Sequence, residues 1–367
     1  MDVLGIETSC DETAAAVVRD GREVLANVVY TQIPLHQPYG GVVPEIASRA
    51  HIEKIREVVG EALRRGEAAG GATVDAVAVT YGPGLSPALI VGLNAAKGLA
   101  KGLGVPLIAI NHIEAHLHTP FLVDATAVDG DRRPRPLDAM PALGLAISGG
   151  HTCLVDMPEY GRYEIVGQTL DDAAGEAFDK AAKLLGLGYP GGPKVDAIAR
   201  EYVEGRRRQA KALDFIPFPK GRPRDGVSAL AGLPAELCVS FSGLKTSLLR
   251  YVQREGGAER LAAAGEIPRV VASYQEAIVQ AVVDRTRAAL RRRRRRALVV
   301  GGGVSLNSRL RAALAELAAE ERVELLLAAP KYCGDNGAMI AGLAFFRRNH
   351  VDDAMSLDVN PCLEVGE

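Results

Sequence analysis

The stretch Asp2–Val18, DVLGIETSCDETAAAVV, decides the fold because a similar unit recurs in Ala142–Met157, ALGLAISGGHTCLVDM. In each copy an apolar run predicts a strand, a turn of small polar residues follows, and a second apolar run predicts the next strand. Asp20-Gly21 predicts a hairpin to a third strand at 24–31, and 163–169 predicts the third strand of the second copy. Two such units about 140 residues apart indicate an internal duplication, with two similar lobes facing each other across a cleft.

Beyond these units, predicted strands alternate with predicted helices, which is typical of a mostly parallel α/β sheet. At 367 residues the chain exceeds the usual size of one core. We therefore expect an N-terminal lobe over 1–130 and a C-terminal lobe over 140–348, with an insertion near 186–240. The stiff, charged segment 132–136 lies between the lobes, and the final predicted helix is expected to pack back on the first lobe.

The residue composition, the net charge and the cysteine content limit the classes of protein to which this chain can belong. The chain is 48% hydrophobic and 24% charged, as in a globular protein, and its net charge of −2 gives no overall attraction to nucleic acid. We expect no secretory leader and no membrane span, because acids interrupt the opening and no apolar run approaches about 20 residues. Five scattered cysteines without a CxxC pair predict a reducing, cytoplasmic location.

A second informative stretch is NHIEAH, residues 111–116, which follows the apolar run 105–110. If the chain turns helical here, His112 and His116 stand one turn apart and can share a metal ion. Two ordinary surface histidines are the alternative. A third ligand is required, and Asp335 is the candidate, although an Asp that opens a helix is commonly only its N-cap. Two imidazoles and one carboxylate suit Fe²⁺ and sometimes Zn²⁺.

The histidine pair does not fit the common metalloprotease patterns. HExxH requires Glu directly after the first histidine, where Ile113 stands, and HxxEH requires Glu directly before the second, where Ala115 stands. Glu114 therefore occupies the general-base position of neither class. This spacing counts against a zinc protease.

Three small-polar turns follow predicted strands, at 8–13, 148–152 and 301–307. Their glycines and free amides could hold phosphate at the carboxyl ends of strands, where α/β proteins collect their ligands. Tight packing is the alternative reading of each turn taken alone. None is a P-loop and none fits GxGxxG. Three together favour a nucleotide cleft.

Acidic residues offer further candidates. Asp11 and Glu12 could act as a base and an orienting group, or could bond the amides of their own turn. Asp179 lies in an apolar stretch and therefore requires a partner, which could be Lys180, Lys183 or a ligand hydroxyl. Asp171, Asp172 and Glu176 are explained by a helix start.

Six consecutive arginines, Arg291–Arg296, end a long predicted helix at 267–290. Such a run is most often a solvated helix end. It could also bind a nucleic-acid backbone.

Seven phrases together resemble the bacterial TsaD family of tRNA N6-adenosine threonylcarbamoyltransferases, whose relatives were once called O-sialoglycoprotein endopeptidases. They are GIETSCDET (5–13), YGGVVPE (39–45), NHIEAH (111–116), SGGHT (148–152), FSGLKT (241–246), GGVS (302–305) and YCGDNGA (332–338). The matches cover nearly the whole chain. The stretches 124–139 and 206–238 are longer and richer in arginine than is typical, and Gly334 replaces a larger polar residue.

The resemblance implies a duplicated actin/Hsp70/sugar-kinase (ASKHA) fold around a nucleotide cleft. It implies one divalent metal per subunit, Fe²⁺ before Zn²⁺, held by His112, His116 and Asp335. It also implies a set of residues that bind threonylcarbamoyl-AMP: Ile147, Ser148, Gly149, Gly150, His151, Asp179, Gly192, Asp196 and Asn307.

The activity that the resemblance implies is transfer of the threonylcarbamoyl group from threonylcarbamoyl-AMP to N6 of the adenosine just 3′ of the anticodon, in tRNAs that read ANN codons. The product is t6A. Asp11 or Glu12 would accept the amine proton. TsaB and TsaE are the implied protein partners, and a TsaC-type enzyme would supply the adenylate. A small-molecule kinase of the same fold, a metalloprotease and a non-catalytic scaffold are the alternatives.

Overall fold

The computed structural model describes residues 1–125, 133–223, 232–348, 353 and 356–366. Its strands are β1 (Asp2–Glu7), β2 (Glu12–Arg19), β3 (Glu23–Thr31), β4 (Val74–Gly82), β5 (Leu107–Asn111), β6 (Val123–Asp124), β7 (Ala142–Ile147), β8 (Thr152–Met157), β9 (Glu164–Gln168), β10 (Ala297–Gly301) and β11 (Glu324–Leu327). They form two sheets, in the spatial orders β5-β4-β1-β2-β3-β6 and β11-β10-β7-β8-β9.

The helices of the described residues cover the faces of these sheets. They are α1 (Ile33–His36), α2 (Pro44–Gly70), α3 (Ser86–Leu103), α4 (His112–His118), α5 (Ala174–Leu184), α6 (Gly191–Arg208), α7 (Ser242–Arg254), α8 (Ala258–Ala263), α9 (Ile267–Arg293), α10 (Ser308–Glu321), α11 (Pro330–Cys333) and α12 (Gly337–Phe346). None of the helices in these described ranges has both the length and the apolar character that crossing a bilayer requires.

The two sheets repeat one pattern. In each, the first strand pairs antiparallel with the second and the second antiparallel with the third. Two later strands then add in parallel on the other side of the first strand, β4 and β5 in one sheet and β10 and β11 in the other. This shared order and direction confirms the predicted duplicated α/β fold.

The first sheet is buried on both faces. Leu4 and Ile6 point to α2 and α3, whereas Val3 points to the face that α12 covers. Each buried side chain of this size stabilises the fold by about 2 kcal/mol. The approach of α12 is close, because a Cβ on Gly5 would lie 2.4 Å from the Gly337 carbonyl oxygen. Only glycine fits on β1 there.

In the described fold the chain passes between the two sheets after β6, again between β11 and α12, and a third time in the tail 357–366, which packs on the cores of both. Helix α4 leaves β5 of the first sheet and also packs on β7 and β10 of the second. Its contact there is tight, because a Cβ on Gly301 would lie 1.9 Å from the His116 carbonyl oxygen. The second crossing runs from β11 through α11 to α12, which returns to the first sheet.

Two predicted helix starts are wrong, since the sequence pattern places one helix start at Ser305 and another at Asp171. Ser305 lies in a short 3-10 turn, and Asn307 caps α10 by accepting a hydrogen bond from the Leu310 amide at 2.9 Å. Asp171 precedes α5 by three residues and instead accepts a bond from the Phe241 amide at 2.7 Å. The pattern marked a polar residue near each start but could not tell which side chain reaches back to an amide.

Other boundaries also differ from the prediction. The sequence pattern predicts Ser86 as the cap of α3, but Ser86 is its first residue and Leu85 holds the cap position without a side-chain bond. A helix is also predicted near 195–208 in the insertion, and there α6 begins earlier, at Gly191, whereas 224–231 lie outside the described residues. Of the predicted inter-lobe segment 132–136, residue 132 also lies outside them. All five cysteines are free.

Candidate metal centre and nucleotide pocket

Helix α4 carries the histidine pair, and its start is determined by Asn111. The Asn111 side-chain oxygen accepts hydrogen bonds from the Ile113 amide at 2.9 Å and from the Glu114 amide at 3.3 Å. This capping begins the helix at His112, so that the two histidine rings lie on one face with centroids 4.6 Å apart. Every residue of α4 is buried. The pair is therefore not a surface feature.

Asp335 completes the cluster. Its Oδ1 lies 3.1 Å from His116 Nε2 and 3.6 Å from His112 Nε2, and the three ligand atoms lie within 4.8 Å of one another. Both ring nitrogens of His116 are buried and make no hydrogen bond, since the Asp335 oxygen lies outside hydrogen-bond geometry. Buried polar atoms without partners are costly. Two imidazoles and one carboxylate with open positions fit a divalent cation.

The electrostatics of the cluster also favour a cation. Burial lowers the pKa of His112, but the carboxylates of Asp335 and Glu7 outweigh it and raise that pKa to about 9. Burial likewise raises the pKa of Asp335, and the two facing histidines lower it well below its usual range. The nearby His151 has its pKa lowered to about 4, by burial first and then by His112 and His116. The carboxylates of Asp335 and Glu7 therefore make the cluster attractive to a cation.

A pocket of about 340 Å³ lies in the second lobe. This volume is within the range of small-molecule sites. Apolar walls come from Phe178, Pro190, Val304 and Leu306. Five of the predicted substrate residues line it: Gly149, Asp179, Gly192, Asp196 and Asn307.

The turn at 148–151 connects this pocket with the histidine pair. The Ser148 amide donates to the His151 carbonyl oxygen at 2.8 Å, and the His151 amide donates to Ser148 Oγ at 3.2 Å. Ile147 ends β7 and is buried, whereas Gly149 and Gly150 are exposed. Gly149 lines the pocket and the His151 ring centroid lies 6.3 Å from that of His112. One turn therefore contacts both sites.

The partner of Asp179 is neither of the lysines that the sequence suggested. The Gly191 amide donates to Asp179 Oδ1 at 2.7 Å, while Lys180 pairs with Asp172 at 2.7 Å and with Glu176 at 2.8 Å. Burial raises the pKa of Asp179. The carboxylate thereby joins the middle of α5 to the start of α6 in the wall of the pocket.

Asp196 and Asn307 hold the start of α10 in the pocket wall. Asp196 accepts hydrogen bonds from the Ser308 amide at 3.1 Å and from Ser308 Oγ at 2.8 Å. The Asn307 side-chain amide donates to Gln275 Oε1 at 2.8 Å, while its oxygen caps the helix. Because these bonds lock both side chains, their remaining polar positions are presented to the pocket in one geometry.

The acidic turn of the first lobe lies within electrostatic reach of the pocket. The pKa of Glu12 is well above its usual range, through burial first and then through the charges of Asp11 and Asp335. Thr31 Oγ1 donates to Glu12 at 3.2 Å. The charge of Asp11 also contributes, after burial, to the raised pKa of Asp179. The charge of this turn thus acts on Asp179 in the pocket, and Glu12 in turn feels the charge of Asp335.

Glu114 and the arginine run 291–296 both bind to other side chains or backbone groups of the protein. Glu114 accepts a hydrogen bond from Arg347 and another from the Gly366 amide at 2.9 Å. In the arginine run, Arg291 pairs with Glu321 at 2.7 Å and Arg295 pairs with Asp156 at 2.6 Å. Arg292 and Arg293 also pair with acids of the same surface. These pairs favour a solvated helix end over a nucleic-acid site.

Sequence reasoning missed Glu7 as part of the site. It assigned Glu7 only to the polar turn, yet the side chain is fully buried and lies 3.1 Å from His112 Nδ1. An acid at the end of an otherwise apolar buried strand was the available signal, because a buried charge requires a partner.

The sequence profile of the TsaD family, described as tRNA N6-adenosine threonylcarbamoyltransferase, matches residues 23–342. A protein of that name from Anaeromyxobacter sp. (strain Fw109-5) is 49% identical over 342 residues, which are 93% of this chain and 92% of that protein. The chain belongs to the TsaD family. A second TsaD family member, from Clostridium perfringens (strain 13 / Type A), is 45% identical over 370 residues and covers 100% of this chain and 98% of that protein.

Among solved structures, the chain is similar to full-length HypF in its phosphate- and nucleotide-bound form. The TM-score is 0.57 at 11% sequence identity, over 95% of this chain and 46% of that one. At this identity the likeness concerns the fold alone. It agrees with the duplicated ASKHA-type architecture of the two sheets.

Proposed function

We propose that this chain transfers the threonylcarbamoyl group from threonylcarbamoyl-AMP to N6 of the adenosine just 3′ of the anticodon, in tRNAs that read ANN codons, and so forms t6A. The observation that carries the proposal is the buried cluster of His112, His116 and Asp335 beside a nucleotide-sized pocket. The chain also belongs to the TsaD family, and its relatives are named tRNA N6-adenosine threonylcarbamoyltransferase.

The pocket would hold the adenylate. Its apolar walls suit the flat faces of a base, and its few polar groups suit the hydroxyls of a ribose. Asp179 and Asp196 accept hydrogen bonds, and the Gly149 backbone leaves room for a phosphate to approach closely. The turn at 147–151 would then direct the acyl end of the substrate toward the histidine pair.

His112, His116 and Asp335 would hold one divalent metal, which we propose to be Fe²⁺, with Zn²⁺ as the alternative. When bound there, such an ion supplies Lewis acidity that polarises the acyl carbonyl and fixes its direction. Glu114 is tied to Arg347 and Gly366, so it is not available to activate a water molecule. Because Glu114 cannot act as a general base, the site favours orientation of a substrate over hydrolysis of a peptide.

Asp11 or Glu12 would accept a proton from the attacking amine. The adenosine N6 forms a bond to the carbamoyl carbon, the bond from that carbon to the phosphate oxygen breaks, and AMP leaves with the electron pair. A base is required because the exocyclic amine is a poor nucleophile. Burial and the charge of Asp11 raise the pKa of Glu12, which makes this carboxylate a stronger base than an exposed one.

The proposal implies several partners. tRNA is the acceptor, TsaB and TsaE would assist, and a TsaC-type enzyme would supply threonylcarbamoyl-AMP in the cytoplasm. A kinase of the same fold would release phosphate from ATP to a small hydroxyl acceptor, and a metalloprotease would cleave peptides. A scaffold would do none of these.

Mass spectrometry of tRNA nucleosides tests the proposal against these alternatives. Depleting the protein is expected to remove t6A, and adding the wild-type chain back is expected to restore it. The matched variant carries His112→Ala and His116→Ala and is expected to restore nothing. Unchanged t6A in cells that lack the protein would exclude the proposed function.

A further inference from the structure

A buried carboxylate, Glu7, lies directly behind one of the two histidines. It ends β1 and its side chain is 0% exposed. Its Oε2 lies 3.1 Å from His112 Nδ1 and accepts a hydrogen bond from Thr80 Oγ1 at 2.5 Å. Its other oxygen, Oε1, accepts a hydrogen bond from the Ser9 amide. No step of the proposed reaction uses this residue.

The fold brings these groups together through its parallel strands. β4 lies between β1 and β5 and is parallel to both. Glu7 ends β1, Thr80 lies near the end of β4, and His112 directly follows β5. The carboxyl ends of parallel strands meet at one edge of a sheet, so the contact follows from strand order. It does not depend on a loop.

The hydrogen bonds determine which nitrogen of His112 carries a proton. The Ser9 amide can only donate, and it occupies one Glu7 oxygen, while Thr80 donates to the other. A carboxylate bonded in this way accepts from Nδ1–H of the histidine. Nε2 then faces Asp335, whose Oδ1 lies 3.6 Å away, and a cation that binds there would replace any proton on Nε2. A histidine ligand is commonly oriented in this way by a carboxylate on its other nitrogen.

Ser9 is the competing partner. Its Oγ also lies 3.1 Å from His112 Nδ1. A hydroxyl can donate or accept, so it does not select one ring nitrogen, whereas the buried carboxylate does. The second ligand has no such support, because neither ring nitrogen of His116 has a hydrogen-bond partner.

We propose that Glu7 is a positioning residue, which holds His112 with Nδ1 protonated and Nε2 directed at the metal position. The proposal rests on the metal centre proposed above. In this arrangement His112 is the pre-oriented ligand of the cluster, whereas no hydrogen bond holds either ring nitrogen of His116. Glu7 itself contacts neither substrate nor metal.

Zinc affinity of the purified full-length chain, measured by competition with a coloured chelator, tests this proposal. E7Q is expected to weaken zinc binding about 10–100-fold, because the amide removes one acceptor and misdirects the ring. S9A removes the competing partner and is expected to leave zinc affinity unchanged. Equal affinities of wild type and E7Q, or a loss in S9A as large as in E7Q, would overturn the proposal.

A second measurement does not depend on whether E7Q folds. In the zinc-loaded wild-type chain, the His112 Nδ1 proton is expected to give a downfield NMR signal that exchanges slowly with water. H112N identifies the signal by removing it. A rapidly exchanging Nδ1 proton overturns the positioning role while leaving the metal centre intact. A wild-type chain that binds no zinc, iron or other divalent metal overturns both.

Discussion

Asn336 Oδ1 accepts a hydrogen bond from the Met339 amide at 3.1 Å, and this bond frees the preceding residue, Asp335, to face the histidine pair. The Asn336 side chain also donates to the Gly334 carbonyl oxygen at 2.8 Å. Asp335 was the one predicted ligand with a strong structural alternative, as the cap of the last helix. Its neighbour fills that position.

The first prediction concerns this cap. Asn336→Ala is expected to destabilise the protein by about 1–2 kcal/mol and to weaken metal binding, because α12 loses its cap and the Asp335 backbone loses its support. Urea unfolding and zinc titration measure the two effects. Asn336→Ser keeps an oxygen that can both accept and donate without adding a charge and serves as the control, with most of the stability retained. Normal metal affinity in Asn336→Ala would show that Asp335 needs no such support.

The second prediction concerns the ligands. Replacing His112 and His116 together with Ala is expected to abolish both bound metal and t6A formation. Elemental analysis and nucleoside mass spectrometry report the two losses, and a melting curve checks that the variant is folded. If the metal-free double variant still modifies tRNA at the wild-type rate, the cluster is not part of the reaction.

The third prediction uses two glycines of α6. A Cβ at Gly192 meets no atom within 4 Å, and this residue lines the nucleotide pocket. Gly192→Leu is therefore expected to fold normally and to lose at least about 10-fold in affinity for AMP, because the new side chain occupies the pocket. Gly205 has equally open surroundings but lies outside the pocket, so Gly205→Leu is the matched control. Calorimetry with AMP measures both, and equal affinities would place the adenylate elsewhere.

The fourth prediction concerns pH. Burial lowers the pKa of His51 below its ordinary value of 6.5. Burial favours the neutral ring, whose Nδ1 accepts from Thr13 Oγ1 at 2.8 Å, and the bond that Nε2 donates to the Cys10 carbonyl oxygen at 3.0 Å opposes this effect only in part. The stabilisation is thus complete above pH 6.5 and is lost as the pH falls through 6.5 towards the lower folded-state pKa.

The melting temperature is accordingly expected to fall between about pH 7 and pH 5. In His51→Gln the fall is expected to be shallower, since one titrating group has been removed. An identical pH profile in the variant would mean that His51 does not contribute to this dependence.

The fifth prediction concerns the buried ion pair of Glu114 and Arg347. Glu114 is 1% exposed, and Arg347 is its charged partner. Arg347→Met is expected to destabilise the protein by about 3 kcal/mol, because an unpaired carboxylate remains in the interior. Arg64→Ala, which breaks an exposed pair with Glu61, is the control and is expected to have little effect. Urea unfolding at neutral pH compares them, and similar small losses would contradict the prediction.

Much of the fold was accessible from the sequence, because hydrophobic periodicity and the repeated strand-turn-strand unit depend on local order. The His112 and His116 spacing was equally local. Helix starts were harder, as Ser305 and Asn307 illustrate: both are good capping residues, and only the packed backbone decides which one bonds an amide. The sequence pattern predicted Ser305 as the cap, and the structure shows Asn307 in that position.

The remaining contacts of the site are long-range, and no pattern along the chain specifies them. Glu7 and His112 are separated by 105 residues, and Asp196 and Ser308 by 112. The bond from Gly191 to Asp179 is closer in sequence, yet a lysine beside the acid seemed the more obvious partner. Lys180 was already paired with Asp172 and Glu176, which only the folded structure reveals.

Two elements that link the sheets have a mechanical consequence. His116 lies on α4, which packs against both sheets, and Asp335 lies in the passage from β11 to α12. If the lobes rotate about these elements, atoms near the axis move least and the parts of the cleft farthest from it move most. We expect the cleft to open and exchange nucleotide while the ligand spacing stays constant, which structures with and without adenylate would test. The cation would then lie close to the axis about which the lobes rotate.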